Sequence, residues 1–154
     1  MNSYLVIGMG NFGQSVATEL AKKNEVMVLD YDEKNLGPVM DIVTDATIGD
    51  AKDEFVLKAL SVKDYDGVIV AVSRIEDSIL INMLLKEMKA KSIIGKAKGE
   101  LHAKILRQLG VDVVIRPEFD MGKYVAHKIN TAHTCMTDIT LSFNELDKKA
   151  EPQD

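Results

Sequence analysis

Short apolar runs separated by longer polar segments recur along the chain, and their spacing predicts its elements. Tyr4 to Gly8, Val26 to Asp30, Asp41 to Thr44, Gly67 to Val72, Ser92 to Lys96 and Val111 to Ile115 predict six strands. Several of these runs are apolar throughout, the pattern of strands covered on both faces in a parallel sheet. The segments between them have helical composition. After the fourth strand, Ser73 is placed to cap a helix and Glu76 to reciprocate, ahead of the apolar set Ile79, Leu80, Met83 and Leu84. Gly110 suits a left-handed cap ending a helix from about Glu100 to Leu109, and Pro117 suits the start of a final helix from about Glu118 to Asn130. Strict β/α alternation with right-handed crossovers predicts an α/β, Rossmann-like, doubly wound parallel six-stranded sheet in the order 3-2-1-4-5-6, with helices on both faces.

The pattern changes after about Thr131, which divides the chain into a domain over 1–131, a linker or strand over 132–144 and a polar tail, expected to be disordered, over 145–154. Within the linker, Asp138 to Phe143 alternates like a half-buried strand. Composition narrows the class further. With 24 acidic against 19 basic residues, the net charge of -5 opposes a phosphate backbone, so no nucleic-acid partner is expected. The single Cys135 cannot form an intrachain disulfide, and no Cys/His cluster suggests zinc, which fits a reducing, cytoplasmic setting. Tyr4 to Ile7 runs into glycines rather than a secretory signal. Ile79 to Leu85, interrupted by Asn82, falls far short of the roughly 20 apolar residues of a membrane span, so any membrane role is expected through a partner.

The candidate chemistry is a phosphate cradle. Gly8, Gly10, Asn11, Phe12 and Gly13 lie in a GxGxxG turn that follows an apolar strand and opens a helix. Gly8 permits the tight turn, Gly10 lets backbone N–H groups approach phosphates, and Gly13 lets helix and sheet pack closely. Asp30, some 20 residues past Gly10, ends the second strand where a carboxylate accepts bonds from ribose hydroxyls and disfavours a 2′-phosphate; Tyr31 adjoins it. Asp50, between Gly49 and Ala51, either accepts from the exocyclic amine of adenine or caps a helix beginning near Ala51. Ala71, Val72 and Ser73 form the opposite wall at the point where strand order reverses, and Lys96 offers a cation from the end of the fifth strand or sits there solvated. An adenine nucleotide is the implied ligand, either ATP/ADP or NAD/NADH.

Chemistry beyond binding is not evident. Tyr124 and Lys128 match a YxxxK spacing, but thirteen residues upstream, where a dehydrogenase of that type needs serine, stands Val111. The pair is better explained as helical i, i+4 neighbours. His102, His127 and His133 form no triad with Cys135 or a serine, so the chain is expected to bind nucleotide without catalysing a reaction.

Gly8 to Gly13, Asp30, Gly49 to Ala51, Asn82, Lys96 to Lys98, His102, Leu109 to Asp112 and Arg116 to Gly122 together resemble the RCK/KTN (TrkA-N) nucleotide-binding domain over about residues 3–131. Within that family the chain is most similar to the KtrA and TrkA type cytosolic subunits of potassium uptake systems. The resemblance implies homodimers assembled into an octameric ring beneath a membrane potassium-translocating subunit, TrkH- or KtrB-like. Ligands that bind two ring conformations unequally would gate the channel. It also places Asp30 on ribose, Asp50 on adenine, Lys96 on phosphate, and Glu118 near the terminal phosphates through a divalent cation, Mg or Ca. Two departures stand out. Asn11 replaces an arginine typical of Ktr proteins, and the smaller C-terminal RCK lobe is expected to be absent from this chain. Two other readings stay open: the cofactor half of an NAD-dependent oxidoreductase, and a nucleotide-responsive redox sensor.

Overall fold

In the computed structural model, which describes residues 1–131, the chain forms two compact units, Met1–Arg116 and a second beginning at Pro117. The first unit holds six strands, β1 (Ser3–Ile7), β2 (Glu25–Asp30), β3 (Asp45–Ile48), β4 (Gly67–Val70), β5 (Ile93–Lys96) and β6 (Val113–Ile115). They alternate with helices α1 (Asn11–Ala21), α2 (Glu33–Leu36), α3 (Glu54–Ala59), α4 (Ile75–Glu87) and α5 (Glu100–Gln108). All pairings are parallel and the order is β3-β2-β1-β4-β5-β6, as the alternation predicts. The second unit contributes α6 (Pro117–Thr131), with Pro117 as its first residue.

The period-two geometry of the strands explains the two cores. Leu5 and Ile7 of β1 face one side with Val68 and Val70 of β4, where Leu57, Ile81, Leu85, Ala103 and Leu106 of α3, α4 and α5 cover them. Val6, Val26, Val28 and Ile69 face the other side, under Ala17 of α1 and Leu36 of α2. Every residue of β4 is buried, which is why its sequence shows no alternation.

Three expectations are corrected in detail. The third strand is Asp45–Ile48, not Asp41 to Thr44. Ile42 and Val43 supply an apolar run in a turn, whereas the true strand is a half-exposed sheet edge whose polar residues carry little hydrophobic signal. Thr44 marks the entry, exchanging bonds with Val26 through its N–H and, as acceptor, through its Oγ1. The Ser73/Glu76 capping box does not form: α4 is preceded by Arg74 at the cap position, with no side-chain bond. Nor does Asp50 cap a helix, since Asp53 caps α3 by accepting from Phe55 N–H. Gly110 does adopt a left-handed conformation, φ +85°, after α5. The expected strand over Asp138 to Phe143, the tail, Cys135 and His133 lie outside the described residues.

A buried polar cluster ties α4 to the β5–α5 connection. The imidazole of His102, 4% exposed, accepts from Lys98 N–H at Nδ1 (3.0 Å), which leaves its proton on Nε2 facing Ser78 Oγ at 2.9 Å. Asn82 donates to the Ser78 carbonyl at 2.8 Å. Burial holds the His102 pKa below its ordinary value. Protonation would also set a second donor at Nδ1 against the Lys98 N–H. A histidine depressed in this way gives its full stabilisation above the unfolded pKa, near about 6.5, and loses it as pH falls from there toward the folded value. Urea unfolding between pH 7.5 and 5 should therefore show a larger loss of stability in the native chain than in His102→Gln. Parallel curves for the two proteins would refute the assignment.

Candidate functional site

Reversal of strand order between β1 and β4 leaves their C-terminal ends splayed, and a crevice of about 410 Å3 opens there. The glycine turn forms its floor. Gly8, at φ +93°, occupies a conformation disfavoured for any residue with a Cβ, and it donates to the Leu29 carbonyl at 2.9 Å. A Cβ there would also lie 3.0 Å from the Ala71 carbonyl carbon and the Val72 nitrogen, so the segment leaving β4 is seated directly on the turn. Gly13, one turn into α1, closes against the Gly8 carbonyl, where a Cβ would collide with the oxygen. Gly10 borders open space, caps α1 with its backbone and lines the crevice. The first turn of α1 has neither a side-chain cap nor an acidic residue, so the helix supplies nothing of its own to offset its partial positive charge.

Asp30, 7% exposed, ends β2 on the adjoining wall. Its Oδ2 accepts from Met9 N–H at 2.7 Å, and its Oδ1 from Asp32 N–H at 2.8 Å and the Asn35 amide at 3.1 Å. A carboxylate offers about four lone-pair sites, so these donors leave about one unused. Tyr31 and Gly49 continue the wall. Asp50 uses Oδ1 to accept from Lys52 N–H at 2.9 Å, shaping the turn that carries Ala51. Ala71, Val72 and Ser73 stand opposite, as expected from the switch point. Ile7, Leu29, Ala51, Val72 and Ile81 give the interior an apolar lining suited to a flat ring.

Several expected residues lie elsewhere. Asn11, Phe12, Gly13 and Lys96 are not among the crevice lining. Phe12 packs against the α1-side core, and Lys96 is half-buried at the end of β5. Glu118 belongs to the second unit, in the acidic first turn of α6 with Asp120. Among the described residues no three His, Cys, Asp or Glu side chains gather as metal ligands. On α6, Lys128 Nζ lies 5.5 Å from the Tyr124 ring centroid, an i, i+4 stack of the kind their spacing suggests.

Conversely, the lining includes Met9, Asn35, Lys52, Arg74 and Asp77, which sequence reasoning passed over. Lys52 Nζ sits 3.2 Å from Asp77 Oδ1 and 3.9 Å from Asp50 Oδ2. That pairing joins residues 25 positions apart, so no local pattern marks it. Arg74 was adjacent to the expected wall residue Ser73, and its charge at the switch point was the available signal.

A parallel sheet in this order, with a glycine turn and a buried acid framing the crevice at its switch point, defines a Rossmann-like domain. The chain belongs to the TrkA-N domain family, whose model matches residues 4–117. It is 41% identical over 128 residues to the Ktr system potassium uptake protein C of Bacillus subtilis strain 168, covering 82% of this chain and 58% of that protein. The chain thus spans little more than half the length of that relative. Among solved structures, the NAD(P)-binding domain of an exopolyphosphatase-related protein from Archaeoglobus fulgidus superposes with a TM-score of 0.75 at 21% identity, over 84% of this chain and 98% of that one. The GsuK channel bound to NAD gives 0.71 at 18% identity, over 80% of this chain and 23% of that one. These likenesses establish the fold. No helix among the described residues is long and apolar enough to cross a membrane.

The second and third glycines of the turn should separate in their effects. Gly13→Ala forces a backbone collision and should destabilise the domain by about 2 kcal/mol or more, read by urea unfolding. Gly10→Ala has room and should unfold within about 0.5 kcal/mol of the native chain. Equal losses would show that the turn is not packed as described.

Proposed function

We propose that this chain is a nucleotide-sensing regulatory module that gates a membrane potassium uptake protein without catalysing a reaction. The observation that carries this reading is the crevice itself: backbone N–H groups at a helix start, a buried acid at the end of β2 and an apolar slot, in a domain of the TrkA-N family. The similarity to a Ktr system potassium uptake protein supplies the transport context. Phosphates rest on the glycine turn, the open lone pair of Asp30 takes a ribose hydroxyl, and the Asp50 carboxylate faces the adenine amine.

Gating then needs only a difference in affinity. A ligand shifts a conformational equilibrium by as much as it prefers one state, so exchange of ATP for ADP, or NADH for NAD, alters the module's shape distribution. In this proposal residues 1–131 form the nucleotide-binding lobe. It works at the cytoplasmic face of the membrane, as a homodimer within a ring, against a potassium-translocating subunit. A divalent cation such as Mg at Glu118 belongs to the same proposal.

Calorimetric titration of the full chain with ATP, ADP, NAD, NADH and NADPH tests the reading. Binding of at least one of the first four is expected, with NADPH weakest because its 2′-phosphate would meet Asp30. Asp30→Ala should weaken the preferred ligand about tenfold or more. A folded chain that binds none of the five would overturn the proposal.

A further inference from the structure

We propose that Arg74 is the side chain that receives the charge of the ligand's phosphates, a role that rests on the nucleotide reading above. The electrostatics of the crevice call for such a group. Three carboxylates, Asp30, Asp50 and Asp77, line it against two cations, Lys52 and Arg74. An anionic ligand entering that field gains from the backbone N–H groups of the glycine turn, but is opposed by the acids around it.

Lys52 is committed. Its ammonium lies between Asp77 Oδ1 and Asp50 Oδ2, and at 3.2 Å from Asp77 it is within hydrogen-bond reach of that carboxylate. Arg74 is differently placed. Its side chain is 73% exposed, and its Nε stands 3.9 Å from Asp77 Oδ2, beyond hydrogen-bond reach. Exposed pairs of this kind contribute little, and Asp77 keeps Lys52 if Arg74 swings away. The guanidinium can therefore leave its present position at small cost.

Position supplies the rest. The Ala71–Val72 backbone lies directly on Gly8, and Arg74 follows two residues later at the cap of α4, on the rim of the same crevice. Anchored on that rim, a long exposed side chain has the length to turn to a ligand's phosphates, whose paired oxygens its planar fork matches. Within one crevice the acids then sort the nucleoside end, while Arg74 reads the phosphate end.

Displacement titrations of adenosine, AMP and ADP against the native chain, Arg74→Ala and Arg74→Lys test this directly. Because the side chain is exposed, both variants should keep the native thermal midpoint. Arg74→Ala should leave adenosine affinity unchanged, weaken AMP, and weaken ADP about tenfold or more, with Arg74→Lys recovering part of the loss. An equal loss for all three ligands would show that the guanidinium acts on the nucleoside instead, and overturn the inference. Native affinity for ADP in Arg74→Ala would overturn it too, while leaving nucleotide binding intact. If the native chain bound none of the three, both readings would fail together.

Discussion

One buried carboxylate ties together the segments on one side of the crevice. Asp30 takes donors from the glycine turn, from the loop beyond its own strand and from the first helix after it. Its carbonyl also accepts from Gly49, so the end of β3 is held to the same residue. A charged group this far out of water is tolerated only when donors converge on it. Because they come from separate segments, satisfying the charge and fixing the loops are a single event. The turn that would hold phosphate is thereby rigid before any ligand arrives, and pre-organisation of this kind reduces the entropy lost on binding.

The order of the sheet was legible in the sequence because parallel strands buried on both faces leave continuous apolar runs, as in the fully buried β4. Where burial is partial the signal fades. The edge strand Asp45–Ile48 carries aspartate and threonine, while the turn before it carries Ile42 and Val43, so the apolar run fell a few residues early. The helix starts failed for another reason. Ser73 and Asp50 have capping chemistry, yet the backbone turns into helix only after Arg74 and Asp53, and side-chain composition does not report that delay.

At the crevice, residues tied to backbone geometry were legible and those tied to tertiary pairing were not. Gly8, Gly10 and Asp30 are dictated by a turn and a strand end that sequence spacing reveals. Lys52 and Asp77 meet across 25 positions and depend on how α4 packs beside the β3–α3 turn. Phe12 lies within the motif and Lys96 ends β5, but helix direction and strand register send both to other surroundings. The family similarity extends over the whole of 4–117, and the crevice is built from a few loop positions within that same span.

The seating of the β4 exit on Gly8 also sets a schedule for biosynthesis. The two walls of the crevice are brought together by β1 pairing with β4, Tyr4 against Gly67 and Ile7 against Val70, and by the ion pair of Lys52 with Asp77. A ribosome that has released the glycine turn but not yet β4 exposes half a pocket: β1 can pair with β2 along one edge, while its other edge waits for β4, which begins at Gly67. Ligand capture is impossible during that interval. Nucleotide that binds afterwards favours chains whose sheet has closed, acting as a late check on folding rather than as a template for it.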